Sequence, residues 1–399
     1  MKENNTKVVV SFINGITENN GQPSISGGDV RALRILQEIS KKRNHRVTVF
    51  TSTIGVKLIN NYARKNWEVI DIKTSEKGDI LARISRVQRS IEAIKKWWKT
   101  EDKKNKSYVL YSSCEHMYDV WPAWQLARKT GWRWMALIHW VPDSPWGNNR
   151  GKTPFIYNLI YYYQNLVAHY LIKSRATKIL AVSDVTRQKL IDSRYFDQKK
   201  IETVYCGVDL EKIRKVDYKG KKKYDGVFLK RLNPGKGVYD LVEIWKKVVK
   251  NRSKAKLLVI GDGPDEVVKK VKEEIVEAGL EKNIILHGPE YDFNKKFEML
   301  KLSKVFVLPT YEENWAIVIA EAIAAGLPVV CYDLPEIRPI WKNAVQWIKK
   351  GQTSLFAKRV LKILNERKKT SVLPKEVTEY SWKNISQKEY QLMKAGSDW

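Results

Sequence analysis

Cysteine and histidine are scarce in this chain of 399 residues, and their scarcity removes whole classes of chemistry. The three cysteines, Cys114, Cys206 and Cys331, show no pairing pattern and no metal-ligand spacing. That argues against a disulfide scaffold or a zinc site and fits a reducing, cytoplasmic setting. Long apolar runs are also missing: none reaches the roughly 18 residues of a spanning helix, and the run in MKENNTKVVVSFI is too short for a signal peptide. If membranes matter, the protein is expected to lie on them. Acidic residues are few, 44 against 73 Lys and Arg, for a formal charge of +29. Counted by halves, 35 basic and 17 acidic residues fall in 1–200 and 38 and 27 in 201–399, so the excess is +18 and then +11. An anionic partner of the first half (nucleic acid, membrane or phosphorylated substrate) competes with a plain Lys-rich solvated surface.

What is present is an alternation. The short apolar runs KVVVSFI, RVTVFTS, YVLYSS, WMALIHW and KILAVS, then DGVFLKRL, KLLVIGDG, NIILHG and VFVLPT, are separated by helical patterns. Strand, helix, strand repetition implies parallel sheets wrapped by helices, and this length suits two domains. The charged, unpatterned stretch 209–225 reads as an interdomain linker, giving a first domain over 1–208, a second over 226–379, and a terminal helix over 380–399 that crosses back to the first. Two doubly wound domains then face a central cleft, where α/β sheets bind ligands.

The most informative stretch runs from Pro309 to Val330, PTYEENWAIVIAEAIAAGLPVV. Glu313 falls just before a helix that Gly326 ends, and Glu321 falls inside it. Backbone N–H groups at such a helix start suit an anionic phosphate. After the strand DGVFLK, Arg231 and Lys236 flank LNPG, a fixed planar fork and a mobile point charge suited to clamping a diphosphate, with incidental surface charge as the rival reading. Gly261 opens the loop GDGP, where close ligand approach competes with a tight turn. Gly27 and Gly28 precede a helical pattern, and His139 ends an apolar strand, placed either to donate to a sugar or phosphate or to sit as a satisfied structural histidine.

In order along the chain, Gly27-Gly28, VSD at Val182 to Asp184, YCGVD at Tyr205 to Asp209, FLKRLNPGKG, VIGDGP, VFVLPT and the two glutamates followed by AIAAGLPVV resemble glycosyltransferase family 4. The resemblance covers nearly the whole chain. It implies the GT-B fold, two Rossmann-like domains around a cleft, and a retaining, metal-independent transfer from a nucleotide diphosphate sugar (UDP or GDP) to an acceptor hydroxyl, possible acceptors being a lipid-linked or membrane glycan. On that resemblance Arg231 and Lys236 hold the donor diphosphate and stabilise the leaving group, Glu313 orients donor-sugar hydroxyls, and Glu321 accepts from the ribose. Backbone N–H groups of Asn314, Trp315, Ala316 and Ile317 meet the phosphates, His139 contacts the donor sugar, and Gly27 and Gly28 let the first domain close. No cofactor beyond the donor and no metal is expected, and no Asp-x-Asp motif stands in a suitable loop. Two departures stand out: Trp140 follows His139 where the family has Asp, and Ala316 replaces a glycine, which asks for a helical backbone there.

Other classes remain to be weighed. A sugar-phosphate synthase or phosphorylase of the same fold would use a phosphosugar or free phosphate, and a nucleic-acid-binding protein would account for the charge, yet no recognition motif supports nucleic acid as a partner. Around Arg83–Lys99, Ile84, Val87, Ile91, Ile94 and Trp98 recur at helical spacing among basic residues, a stripe that suits either an anionic membrane surface or packing on the sheet. The aromatic stretch 155–172, holding Asn158, Gln164, Asn165 and His169, reads as a buried helix rather than an anchor.

Overall fold

The computed structural model describes residues 5–19, 22–74, 80–104, 106–141, 146, 155–366 and 375–395. These form two compact units. The first is built on β1 (Thr6–Phe12), β2 (Thr17–Asn19), β3 (Gln22–Ser24), β4 (His45–Thr51), β5 (Trp67–Asp71), β6 (Lys106–Ser112), β7 (Arg133–Ile138), β8 (Lys178–Ala181) and β9 (Ile201–Thr203). Seven of these make a parallel sheet in the order β5-β4-β1-β6-β7-β8-β9, while β2 and β3 pair as a small hairpin. The second unit carries β10 (Tyr224–Leu229), β11 (Leu257–Ile260), β12 (Ile284–Gly288), β13 (Ser303–Leu308), β14 (Val329–Tyr332) and β15 (Val345–Ile348), parallel in the order β12-β11-β10-β13-β14-β15. Both chain orders reverse direction beside the first strand of the unit, the doubly wound pattern whose ligand sites lie beyond the carboxyl ends of the strands.

Central strands are apolar on both faces because helices cover both. Val8, Val9, Val10 and Phe12 of β1 and Val305, Phe306, Val307 and Leu308 of β13 have no solvent exposure. In the first unit Phe12 stacks on Phe50 and Trp97 meets Phe50 edge-on, at centroid distances of 5.4 and 5.7 Å, which ties the helix Ile80–Thr100 to the sheet.

The stretch 209–225 is not a free connection. It carries the helix Leu210–Lys215, buries Leu210, Ile213 and Val216, and is held by Lys301 Nζ, which donates to the carbonyls of Arg214 and Val216 at 2.8 and 2.6 Å. Apolar residues three apart are enough to fold this charged segment onto the second unit, which begins at Val208. The helix Trp382–Lys394 belongs to the first unit. Its Trp382 ring fills the space beside Gly207, where a Cβ would lie 2.6 Å from the indole.

Two amphipathic readings need correction. In the helix Ile80–Thr100 the buried positions are Arg86, Ser90, Ile94 and Trp97, so Ile94 and the half-buried Trp98 of the expected stripe meet the core while Ile84 is exposed. Polar partners draw it that way: Arg86 Nη1 donates to the Asn14 carbonyl at 3.1 Å and Trp97 Nε1 to Glu68 at 3.2 Å. The aromatic stretch is a helix, Phe155–Arg175, but it is only half buried: Asn165, Ala168, His169, Leu171 and Ile172 face inward while several apolar side chains face solvent.

Candidate functional site

In the second unit the site grows from two neighbouring strands. Because β10 and β13 are adjacent and parallel, the loops that follow them leave the same edge of the sheet. They are stitched together: Tyr311 N donates to the Gly235 carbonyl at 2.9 Å, and Lys236 Nζ to the Glu312 carbonyl at 2.7 Å. Gly237, at φ 73°, is required here, since a Cβ would sit 1.7 Å from the Pro309 carbonyl oxygen. Gly261 plays the same part for the third loop, its absent Cβ leaving room for the Lys230 carbonyl at 1.9 Å. The glycine thus serves loop-on-loop packing.

This stitching gathers charge around Glu313. Its carboxylate is buried, with Lys230 Nζ 2.8 Å from Oε1 and 3.0 Å from Oε2, and Lys236 Nζ 3.5 Å from Oε1. Burial alone would raise the Glu313 pKa, but the two ammonium groups outweigh it and hold the carboxyl below its ordinary range, so it is ionised. Burial lowers the Lys230 pKa, opposed by the Glu313 charge and assisted by Lys236. Glu321, one face along the helix Ile317–Ala324, pairs through Oε1 with Lys296 Nζ at 2.8 Å. Arg231, which follows Lys230 in the chain, is exposed and makes no ion pair among the described residues. An exposed, uncommitted guanidinium beside a buried ion cluster suits an incoming diphosphate.

Ala316 does not take the helical backbone expected of it. It stands at φ 58° and ψ 65°, the left-handed conformation a glycine would favour, and caps the start of the helix Ile317–Ala324. The turn survives the substitution because its neighbours fix it. Trp315 is buried edge-on against Trp341 and Tyr380, and its carbonyl accepts from Trp341 Nε1 at 2.8 Å. Its indole therefore belongs to the core. Asn314 and Ile317 are half-buried on either side.

In the first unit the structure brings together two residues that were read separately. A Cβ on Gly28 would fall 2.4 Å from His139 Nε2, so the glycine is what allows the imidazole to reach the start of the helix Gly27–Ile39. Gly27 opens that helix, behind a capping box of Ser26 and Asp29. The His139 amide donates to Glu115 Oε2 at 3.0 Å, while both ring nitrogens are shielded from solvent and have no hydrogen-bond partner among the described residues. Burial, with Arg31 and His116 adding like charge, pushes the ring down to about 3, so it stays neutral and presents one donor and one acceptor. The orphan nitrogens beside this helix start are what a ligand hydroxyl or phosphate oxygen would satisfy.

Sequence reading missed Lys230, Lys296 and Glu115. Two of these are lysines in a chain with 73 Lys and Arg, where charge alone carries no signal. A lysine directly before Arg231 at the carboxyl end of a strand was the one available pointer.

Comparison with known proteins fits this geometry. The family model described as Glycosyltransferase Family 4 matches residues 25–212, and the one described as Glycosyl transferases group 1 matches 209–380. Among curated relatives, an uncharacterized glycosyltransferase of Methanocaldococcus jannaschii is 27% identical over 165 residues, 39% of each chain. The UDP-Gal:alpha-D-GlcNAc-diphosphoundecaprenol alpha-1,3-galactosyltransferase of Escherichia coli is 31% identical over 180 residues, 42% of this chain and 45% of that one. The matches thus span less than half the length of these relatives. The solved structure of Anabaena HepE in complex with UDP and glucose superposes with a TM-score of 0.72 at 14% identity, covering 97% of this chain and 99% of that one. Staphylococcus aureus TarM, solved in complex with UDP and glycan ligands, gives 0.71 at 12% identity, over 98% and 100%. Such distant likenesses speak to the fold, which is GT-B with two Rossmann-like units. With one model over each unit and the motif residues assembled at the strand ends, the chain belongs to glycosyltransferase family 4.

Proposed function

We propose that the chain transfers a hexosyl group from a nucleotide diphosphate sugar to an acceptor hydroxyl, with retention at the anomeric carbon and without a metal ion or other cofactor. The observation that carries this reading is the Lys236–Glu313 pairing beside an exposed Arg231, because it sets two cations and an oriented carboxylate at one sheet edge. In the proposed reaction the acceptor oxygen bonds to the anomeric carbon on the face from which the diphosphate departs. The bond between that carbon and the phosphate oxygen breaks, and the leaving phosphate takes the acceptor proton. Arg231 and Lys236 balance the charge that develops, the part a metal ion plays elsewhere. Glu313 orients sugar hydroxyls, Glu321 takes the ribose, the backbone of Asn314 to Ile317 meets the phosphates, and neutral His139 bonds the sugar. Family membership, and the UDP complexes of the structural neighbours, support a nucleotide sugar as donor.

The acceptor we infer is a glycan hydroxyl, in the fullest form of the reading one on a polyprenyl diphosphate carrier at the cytoplasmic face of a membrane. The Escherichia coli relative named above supports the carrier. The test is a panel of labelled nucleotide sugars with membrane extract. Arg231→Ala should lower kcat by roughly 100-fold, EDTA should leave the rate unchanged, and the product should keep the donor's anomeric configuration. Full activity in Arg231→Ala would sink the assignment, and a rate lost to EDTA would remove the metal-independent part of it.

A further inference from the structure

The helix Phe155–Arg175 is apolar on both faces. Its inward face holds Ala168, Leu171 and Ile172 beside Asn165 and His169, while Ile156, Ile160, Tyr163, Leu166, Val167 and Tyr170, at helical spacing, are between 37% and 63% exposed. Every exposed side chain described from Phe155 to Tyr170 is apolar or aromatic. A helix facing water shows the opposite pattern, so this face is made for something other than water. It is also long, 21 residues or about 32 Å, and no described helix is long and apolar enough to cross a membrane.

The charge around the stripe selects its partner. From Phe155 to Arg175 the sequence carries two cations, Lys173 and Arg175, and no acid. Exposed Lys173 and Arg175 close the helix, and the neighbouring helix Met117–Thr130 adds Arg128, whose guanidinium lies over Trp124, 5.3 Å from the ring centroid. Trp124 Nε1 in turn donates to Ser174 Oγ at 3.0 Å, which fixes this basic and aromatic border to the end of the stripe. A second copy seated on the same face would bring more cations and no acid of this helix to meet them. An anionic surface meets them with opposite charge while the aromatic and aliphatic stripe enters the headgroup boundary.

We propose that the outward face of the helix Phe155–Arg175 docks this protein flat on an anionic lipid bilayer. The inference deepens the membrane setting proposed above and for its purpose rests on that reading, but vesicle binding needs no nucleotide sugar. Failure of one measurement therefore leaves the other standing. The experiment is co-sedimentation of the full chain with sucrose-loaded vesicles of phosphatidylcholine alone or mixed with phosphatidylglycerol, alongside mass measurement by light scattering. Wild type should bind the mixed vesicles, bind phosphatidylcholine far less, and be partly released by salt. Tyr163→Glu with Val167→Glu should weaken binding to the mixed vesicles at least about tenfold with an unchanged circular dichroism spectrum. Ile84→Glu, on the other amphipathic helix, should bind as wild type does. The proposal is overturned if wild type ignores anionic vesicles, if the double variant binds equally well, if Ile84→Glu is the change that abolishes binding, or if the double variant instead converts a wild-type dimer to monomer.

Discussion

Lys230 shows how a single residue can be essential to a site and invisible in a sequence. Its ammonium lies 2.8 Å from Glu313 Oε1, closer than Lys236 at 3.5 Å, and so does most to hold the carboxylate ionised and in one orientation. Removing it leaves a buried charge with a distant partner. We expect Lys230→Met to lower kcat/KM for the donor by roughly 10- to 100-fold, and Lys230→Arg to recover part of that, in assays across donor concentration. An unchanged kcat/KM in Lys230→Met would remove it from the site. Ala316 gives a second prediction at this scale. A non-glycine residue at φ 58° costs about 1 kcal/mol, so Ala316→Gly should stabilise the second unit by up to about 1 kcal/mol in urea unfolding. A loss of stability would mean that the buried methyl group is worth more as packing than its backbone costs. The residues legible in the sequence, Glu313, Glu321, Arg231 and Lys236, were those in a motif with fixed spacing. Lys230 and Lys296 were not, because only the β10–β13 pairing brings position 230 to Glu313, and only the fold brings Lys296 to Glu321.

At the scale of elements, strands were readable where an unbroken apolar run marked them, as in KVVVSF, SKVFVL or the edge strand IILHG, and not where polar residues broke the run. WEVID, IET and VQWI are such broken runs, each at a sheet edge. Helix faces were harder still. Periodicity finds an apolar stripe but cannot tell which way it points when buried polar partners, such as Asn14 for Arg86, turn the helix. The terminal helix Trp382–Lys394 depends on such a partner too. Glu389 and Arg31 form a fully buried ion pair, Tyr111 donates its hydroxyl to Glu389 at 3.0 Å, and Arg31 Nε donates to the Tyr205 carbonyl at 3.1 Å. Glu389→Leu should therefore destabilise the first unit by roughly 3–5 kcal/mol, since it strands a buried guanidinium, whereas Arg31→Met combined with Glu389→Leu should recover much of the loss. Thermal unfolding of the two variants decides it, and a single variant as stable as wild type would show that the pair is not what fastens this helix.

Across the molecule, buried titratable groups make stability depend on pH, and His169 isolates one such contribution. It faces inward from the helix Phe155–Arg175, its ring centroid lies 5.4 Å from that of Phe196, and its Nε2 has no hydrogen-bond partner among the described residues. Burial pushes its pKa down to about 4 from an ordinary value of 6.5. Above pH 6.5 both folded and unfolded chains keep it neutral and it contributes nothing to the pH dependence. As pH falls below 6.5 the unfolded chain takes up a proton that the folded chain refuses, so the folded state loses about 1.4 kcal/mol per pH unit until the folded pKa is reached. Asp119 acts in the opposite sense: burial raises it to about 7, the folded state binds its proton first, and acidification through that range favours folding. The wild-type curve alone therefore mixes opposing terms, and the difference between two proteins separates them. His169→Leu removes one term and leaves Asp119, His139 and His45 in place. Relative to wild type, the variant should gain roughly 3 kcal/mol between pH 6.5 and pH 4, whatever its offset at neutral pH. Chemical denaturation at half-unit steps of pH measures that gap. A gap that stays constant across the window would mean that the folded protein lets His169 protonate, and with it that water reaches the inward face of this helix.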